Sequence, residues 1–259
     1  MFPLASVLYS RDTLDADQRS RSQRKDEYLK TLLRTEGKRT SFIIAGMDPA
    51  YAEVARTLDY EETESGFAKS FPADTPHITS IYEQFSHFAE EMILQAANVH
   101  AVPWQEALLA LLQRIERQHV NWWLVGSAAL AVRELNILPH DIDLCVDDAS
   151  AHTLGQVLGD CLIEPVQDVR GWVCNWFGRA FLHTRIEWVG GVDEHLDDDE
   201  VSDFGPIAAS RKETITWHGY EIQVPPLDLQ LLVSERRGLS NRIEPVSYTH
   251  LTLPTNREV

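Results

Sequence analysis

The chain has 259 residues, 44% of them hydrophobic, enough to bury one large core or two modest ones. Its formal net charge of -17 argues against a protein that grips long nucleic acid through phosphates, because such binding needs a surplus of Lys and Arg. No basic segment and long apolar run opens the chain, and no stretch approaches the ~18 to 20 apolar residues that span a bilayer, so a soluble cytoplasmic protein is expected.

Residues 11 to 36 are dense in Arg, Asp, Lys and Gln, with sparse apolar positions at Leu14, Tyr28, Leu32 and Leu33, the pattern of a solvated helix or arm. Ser41 to Gly46 (SFIIAG) reads as a buried strand, Asp48 to Leu58 as a helix with Pro49 in its first turn, and GFAKSF as a second strand. This gives a small α/β unit over residues 1–100. From about Thr79 to Ala97, Ile81, Phe85, Phe88 and Met92 share one helical face and mark a core helix that bridges to the second half of the chain.

A second unit is expected over residues 101–245. It opens with a helix from Pro103 that carries Trp104, Leu108, Leu111, Leu112 and Ile115 at helical spacing. Strand WWLVG, helix SAALAVREL, strand DIDLCVD, helix HTLGQVLGDCL and two strands within WVCNWFGRAFLH and RIEWVGGV then give the order β-α-β-α-β-β. A last helix, PPLDLQLLVSERRG, has prolines at its first turn and arginines and glycine at its end. The fold class is therefore α/β (α+β). Cys145, Cys161 and Cys174 show no C-x-x-C spacing and read as reduced, buried fillers.

The chemistry concentrates in LVGSAALAVRELNILPHDIDLCV. Gly126 and Ser127 close an apolar strand at a helix start, and Asp141 and Asp143 fall in the next strand. Alternate strand residues share a face, so the two aspartates project together while Ile142 and Leu144 point into the core. Paired carboxylates repel unless a cation lies between them, and hard oxygen ligands on a rigid strand suit magnesium, which also binds substrate phosphates. Gly126 would let a phosphate approach the backbone, the helix start would offer N–H groups, and Ser127 could add its hydroxyl. The plainer alternative makes Ser127 a helix N-cap and the aspartates a solvated strand edge.

With VGS followed by DIDL in the next strand, the segment from about Trp122 to Gly190 resembles the polymerase β-like nucleotidyltransferase superfamily, which implies a core of mixed sheet with flanking helices. That family includes aminoglycoside nucleotidyltransferases and toxin–antitoxin nucleotidyltransferases. The resemblance implies a third carboxylate from a later strand, best matched by Glu187 in TRIEWVGG, though the family often has Asp there. It also implies two Mg2+ ions held by Asp141, Asp143 and Glu187, and a nucleoside triphosphate, ATP foremost, seated at Gly126 and Ser127. AMP would pass to a hydroxyl of a small-molecule or protein acceptor, and pyrophosphate would leave. Other readings are a toxin-like enzyme acting on tRNA, and a catalytically idle binding or regulatory protein of the same fold. Glu187 could instead be a surface residue paired with Arg185.

Arg133, Arg179, Arg236 and Arg237 are candidates to meet phosphate, with nothing in their spacing to choose among them. His140 reads as a surface residue at a strand entrance, and DEHLDDDE as a solvated loop, since it lacks the glycine and ligand spacing of a calcium loop. Trp172, Trp176, Trp188 and Trp217 could stack a ring but fit core positions better. Finally, VSYTHLTLPT at Val246 to Thr255 resembles translated sequencing adapter found in assembled metagenomic genes, so residues 246–259 are set aside as an artefact tail.

Overall fold

The computed structural model describes residues 29–243, so residues 11–28 of the expected arm and the whole 246–259 tail lie outside the described part. Residues 30–36 correct the expectation of a helix there. They form β1 (Lys30–Glu36), an edge strand paired antiparallel with β2 (Arg39–Ala45). Its adjacent Leu32 and Leu33 point to opposite faces and are both largely exposed, so their spacing marks neither a helix nor a strand.

A 3-10 turn at Pro49–Tyr51, with the Asp48 side chain accepting from the Ala50 N–H at 2.9 Å, leads into α1 (Ala52–Thr57). Strands β3 (Glu61–Thr63) and β4 (Gly66–Pro72) complete an antiparallel sheet of order β1-β2-β4-β3. Phe42, Ile44, Phe67 and Phe71 leave its inner face and are buried. Helix α2 (Ile78–Ala96) lies against that face, with Phe85 stacked on Phe42 at a centroid distance of 5.2 Å. Its Phe88 stacks on Phe181 of the second sheet at 4.8 Å, and Gln95 donates to the His183 carbonyl at 3.0 Å, so α2 bridges the two sheets.

Helix α3 (Trp104–Ile115) buries Ala107, Leu108, Leu111, Leu112 and Ile115, the stripe that its sequence spacing predicts. The second sheet has order β5-β6-β9-β8-β7, from β5 (Trp122–Val125), β6 (Ile142–Val146), β7 (Leu162–Asp168), β8 (Cys174–Leu182) and β9 (Thr184–Val192). Only β6 and β9 run parallel, which makes the sheet mixed. Helices α4 (Gly126–Ala131) and α5 (Asp148–Val157) connect its first members. The expected β-α-β-α-β-β order is thus one strand short, because β7 belongs to the sheet.

Helix α6 (Pro206–Ser210), an antiparallel hairpin of β10 (Glu213–Trp217) and β11 (Tyr220–Val224), and α7 (Leu227–Arg236) come next. Sequence patterning alone does not reveal the hairpin. The architecture is α+β, with mixed sheet and flanking helices as expected. One apolar core runs without a break from Phe42 of the first sheet through α2 and α3 to Trp188 of the second. The three cysteines are free and buried. Among the described residues no helix is long and apolar enough to cross a membrane.

Candidate functional site

Register across the second sheet places Val125, Asp143, Glu187, Arg179 and Glu164 in one row spanning all five strands. Directly paired residues project to the same face, so the row presents Asp143 and Glu187 side by side while Leu144 and Trp188 turn into the core behind them. Asp141 stands two residues before Asp143 and shares its face. Carboxylate oxygens of Asp141, Asp143 and Glu187 lie within 4.8 Å of one another, close enough for shared cations. The three side chains expected to converge are brought together.

Gly126 comes directly after Asp143's partner Val125 and has φ +67°, a left-handed conformation that glycine adopts without steric cost. A Cβ there would stand 2.4 Å from Asp143 Oδ2, so only glycine lets the strand-to-helix turn close over the carboxylate. Val125, not Ser127, holds the N-cap position of α4, and Ser127 is buried in the helix's first turn. From α7, the Gln230 side-chain amide donates to the Gly126 carbonyl at 3.2 Å and ties the turn down.

Two arginines sit beside the carboxylates. Arg185 donates to Asp141 Oδ2 at 2.5 Å and stands 3.7 Å from Glu187 Oε1. Arg179 donates through Nε to Glu187 Oε1 at 2.8 Å. Burial pulls the Glu187 carboxyl upward, but the Arg179 and Arg185 guanidiniums outweigh it and hold the group below its usual range. Asp143 behaves oppositely. Burial first, and then the charges of Asp141 and Glu187, push it well above the ordinary carboxylate range. Burial also raises Asp141, against the pull of Arg185. A carboxyl so disfavoured as an anion next to another carboxylate is the donor set that a divalent cation relieves, and hard oxygens suit magnesium.

The group opens into a cavity of about 510 Å³, lined also by Gly126. Arg237 and Arg242 line the cavity too, and exposed Trp172 edges it at 58% exposure. Of the arginines considered for phosphate, only Arg237 is among the lining residues. Arg133 pairs with Glu213 at 2.5 Å, Arg236 with Glu200 at 2.8 Å, and Arg179 is buried behind Glu187. His140 is exposed and lines the cavity. Trp188 and Trp217 are buried core residues, as their strand spacing suggested.

The acidic run Asp193 to Glu200 has a structural part. Asp197 accepts from the Ser202 and Ile207 N–H groups, each at 2.8 Å, and so caps the start of α6. Sequence reasoning missed the ion pair of Arg185 with Asp141 and the place of Arg242, since neither emerges from local spacing. Arg242 lies beyond the last periodic helix, where no motif marks it.

No family model and no curated protein matches the chain. Among solved structures it is similar to a putative nucleotidyltransferase from Thermotoga maritima, with 20% identity and a TM-score of 0.45 over 60% of this chain and 97% of the other. It is also similar to ANT(2″)-Ia, solved in complex with adenylyl-2″-tobramycin, with 10% identity and a TM-score of 0.38 over 56% of this chain and 89% of that one.

Proposed function

We propose that the protein is a metal-dependent nucleotidyltransferase that moves AMP from ATP to a hydroxyl of a small-molecule or protein acceptor and releases pyrophosphate. The observation that carries this reading is the convergence of Asp141, Asp143 and Glu187 beneath the Gly126 turn in one cavity. In this reading the three carboxylates hold the metal ions. Divalent ions bound there would lower the pKa of the attacking hydroxyl and neutralise charge on the triphosphate and departing pyrophosphate.

The chain's own groups have distinct tasks. Gly126 leaves the backbone bare at the first turn of α4, where it can meet phosphate oxygens, while the expected hydroxyl contact from Ser127 drops out because that side chain is buried and does not line the cavity. Arg237 and Arg242 add positive charge to a cavity otherwise dominated by carboxylates. Arg185 and Arg179 each hold one oxygen of Asp141 and Glu187, so neither carboxylate needs to be reoriented when charge develops on the substrate. Trp172 offers a flat apolar surface at the edge, suited to a base or an acceptor ring.

Incubation with each labelled nucleoside triphosphate and magnesium, then mass analysis of candidate acceptors, tests the reading. Magnesium-dependent pyrophosphate release is expected from the full chain, with ATP preferred. Asp143→Asn should lower it by more than about 100-fold, the loss that even outer-shell metal partners can produce, while the protein stays folded. Wild-type turnover in a folded Asp143→Asn protein would sink the mechanism.

A further inference from the structure

Lys69 occupies a place where an apolar side chain is expected. It lies directly opposite Phe42 in the first sheet, so it leaves the same inner face as Phe42, Ile44, Phe67 and Phe71. A lysine there is costly unless paired. Its Nζ stands 2.7 Å from Glu164 Oε2, on a glutamate of the second sheet that is 0% exposed.

The other oxygen of Glu164 accepts from the Tyr60 hydroxyl at 3.3 Å and from Nη1 of Arg179. The same Nη1 donates to the Leu58 carbonyl at 3.1 Å, and Arg179 Nε reaches Glu187. Lys69, Glu164, Arg179 and Glu187 therefore form a chain of alternating charge that starts on the first sheet and ends in the candidate metal site. Arg179 is 2% exposed, so solvent screens little of its charge, and what it gives to Glu164 it withholds from Glu187.

We infer that Lys69 and Glu164 are positioning residues for Glu187, setting how far the charge of Arg179 falls on it, so that the first sheet tunes the affinity of the site for a divalent cation. The inference rests on the reading of Asp141, Asp143 and Glu187 as metal ligands. It predicts effects of opposite sign. Removing Lys69 leaves Glu164 to be balanced by Arg179 alone, which draws the guanidinium from Glu187 and leaves that carboxylate more negative. Removing Lys69 and Glu164 together keeps the net charge but leaves Glu187 as the carboxylate that still hydrogen-bonds Arg179, whose charge then competes with the cation.

The test is calorimetric titration of the full chain with Mn2+ alone, without nucleotide. Lys69→Met should tighten binding by about threefold or more, the double variant Lys69→Met/Glu164→Gln should weaken it by about tenfold, and Lys69→Arg should bind like wild type. Half-saturation by magnesium in pyrophosphate release should move with these affinities while KM for triphosphate stays within about twofold. A purely structural role would shift both variants in one direction. Unchanged or weaker Mn2+ binding in Lys69→Met overturns the inference, and this variant leaves the buried Glu164–Arg179 pair balanced, so the test does not depend on whether the double variant folds. A wild-type chain that takes up no Mn2+ overturns the metal reading of the three carboxylates itself, whereas wild-type binding with an indifferent Lys69→Met overturns this inference alone.

Discussion

Asp143 and Glu187 are neighbours in one row of the sheet, yet their carboxyls are pushed in opposite directions, Asp143 well up and Glu187 down. The sign for stability depends on which state holds the proton more tightly. Folded Asp143 keeps its proton above the ordinary carboxylate pKa of about 3.9, so its ionisation destabilises the metal-free fold progressively as pH rises from there through its raised folded value. Glu187 contributes stability above its ordinary pKa of about 4.3, and that contribution is lost as pH falls through its lowered folded value. Comparing wild type with Asp143→Asn isolates the first effect. In thermal unfolding without metal the two should melt alike near pH 4, and the variant should become the more stable as pH rises, with added Mg2+ closing the gap by stabilising wild type alone. Equal melting temperatures at every pH would show that Asp143 is not strained as an anion. At this scale the sequence was legible where period-two alternation operates, which puts Asp141 and Asp143 on one face, whereas Glu187 could be named only through the family resemblance. Arg185 as partner of Asp141 was not, because that pairing depends on the parallel register of β6 and β9, which brings residues 44 apart in number into contact.

Trp188 lies across the strand from Gly178, and a Cβ on that glycine would stand 2.1 Å from the indole Cζ2. The indole cannot withdraw easily, since its Nε1 donates to the Ala151 carbonyl at 3.2 Å and it fills the space between β8, β9 and α5. Gly178→Ala should therefore cost about 1–3 kcal/mol through overpacking and lower the melting temperature by roughly 2–10 °C. A thermal scan that leaves it unchanged would contradict the packing described. The elements missed from sequence have equally local reasons. Strand β7 contains Pro165, which argues against a strand in the interior of a sheet, but β7 is the edge strand and its pairing with β8 is irregular on both sides of Glu164. The β10–β11 hairpin turns on His218 and Gly219, both at positive φ, a two-residue connection whose His-Gly signal is weaker than Asn-Gly. Helices α2 and α3 were legible from their long apolar stripes, and α3 and α7 from the prolines at their starts.

The four-stranded and five-stranded sheets share one uninterrupted core and the buried contacts of Arg179 with Leu58 and of Glu164 with Lys69 and Tyr60. Urea unfolding monitored by tryptophan fluorescence, which reports on the part from Trp104 onward, and by far-ultraviolet circular dichroism, which reports on both sheets, should therefore give coincident transitions. An early loss of part of the dichroism with fluorescence unchanged would show that the first sheet melts alone. The parallel pairing of β6 with β9 also bears on time rather than on stability. Every other pairing in the second sheet is antiparallel and β8 meets β9 across a tight turn, whereas β6 must wait for α5, β7 and β8 before β9 arrives. Such a closure over a long intervening segment is slow. Glu187 would therefore join the aspartates among the last events of folding, and on the proposed metal reading a refolding chain would take up a divalent cation only when nearly complete. Cation uptake would then serve as a clock for the final step.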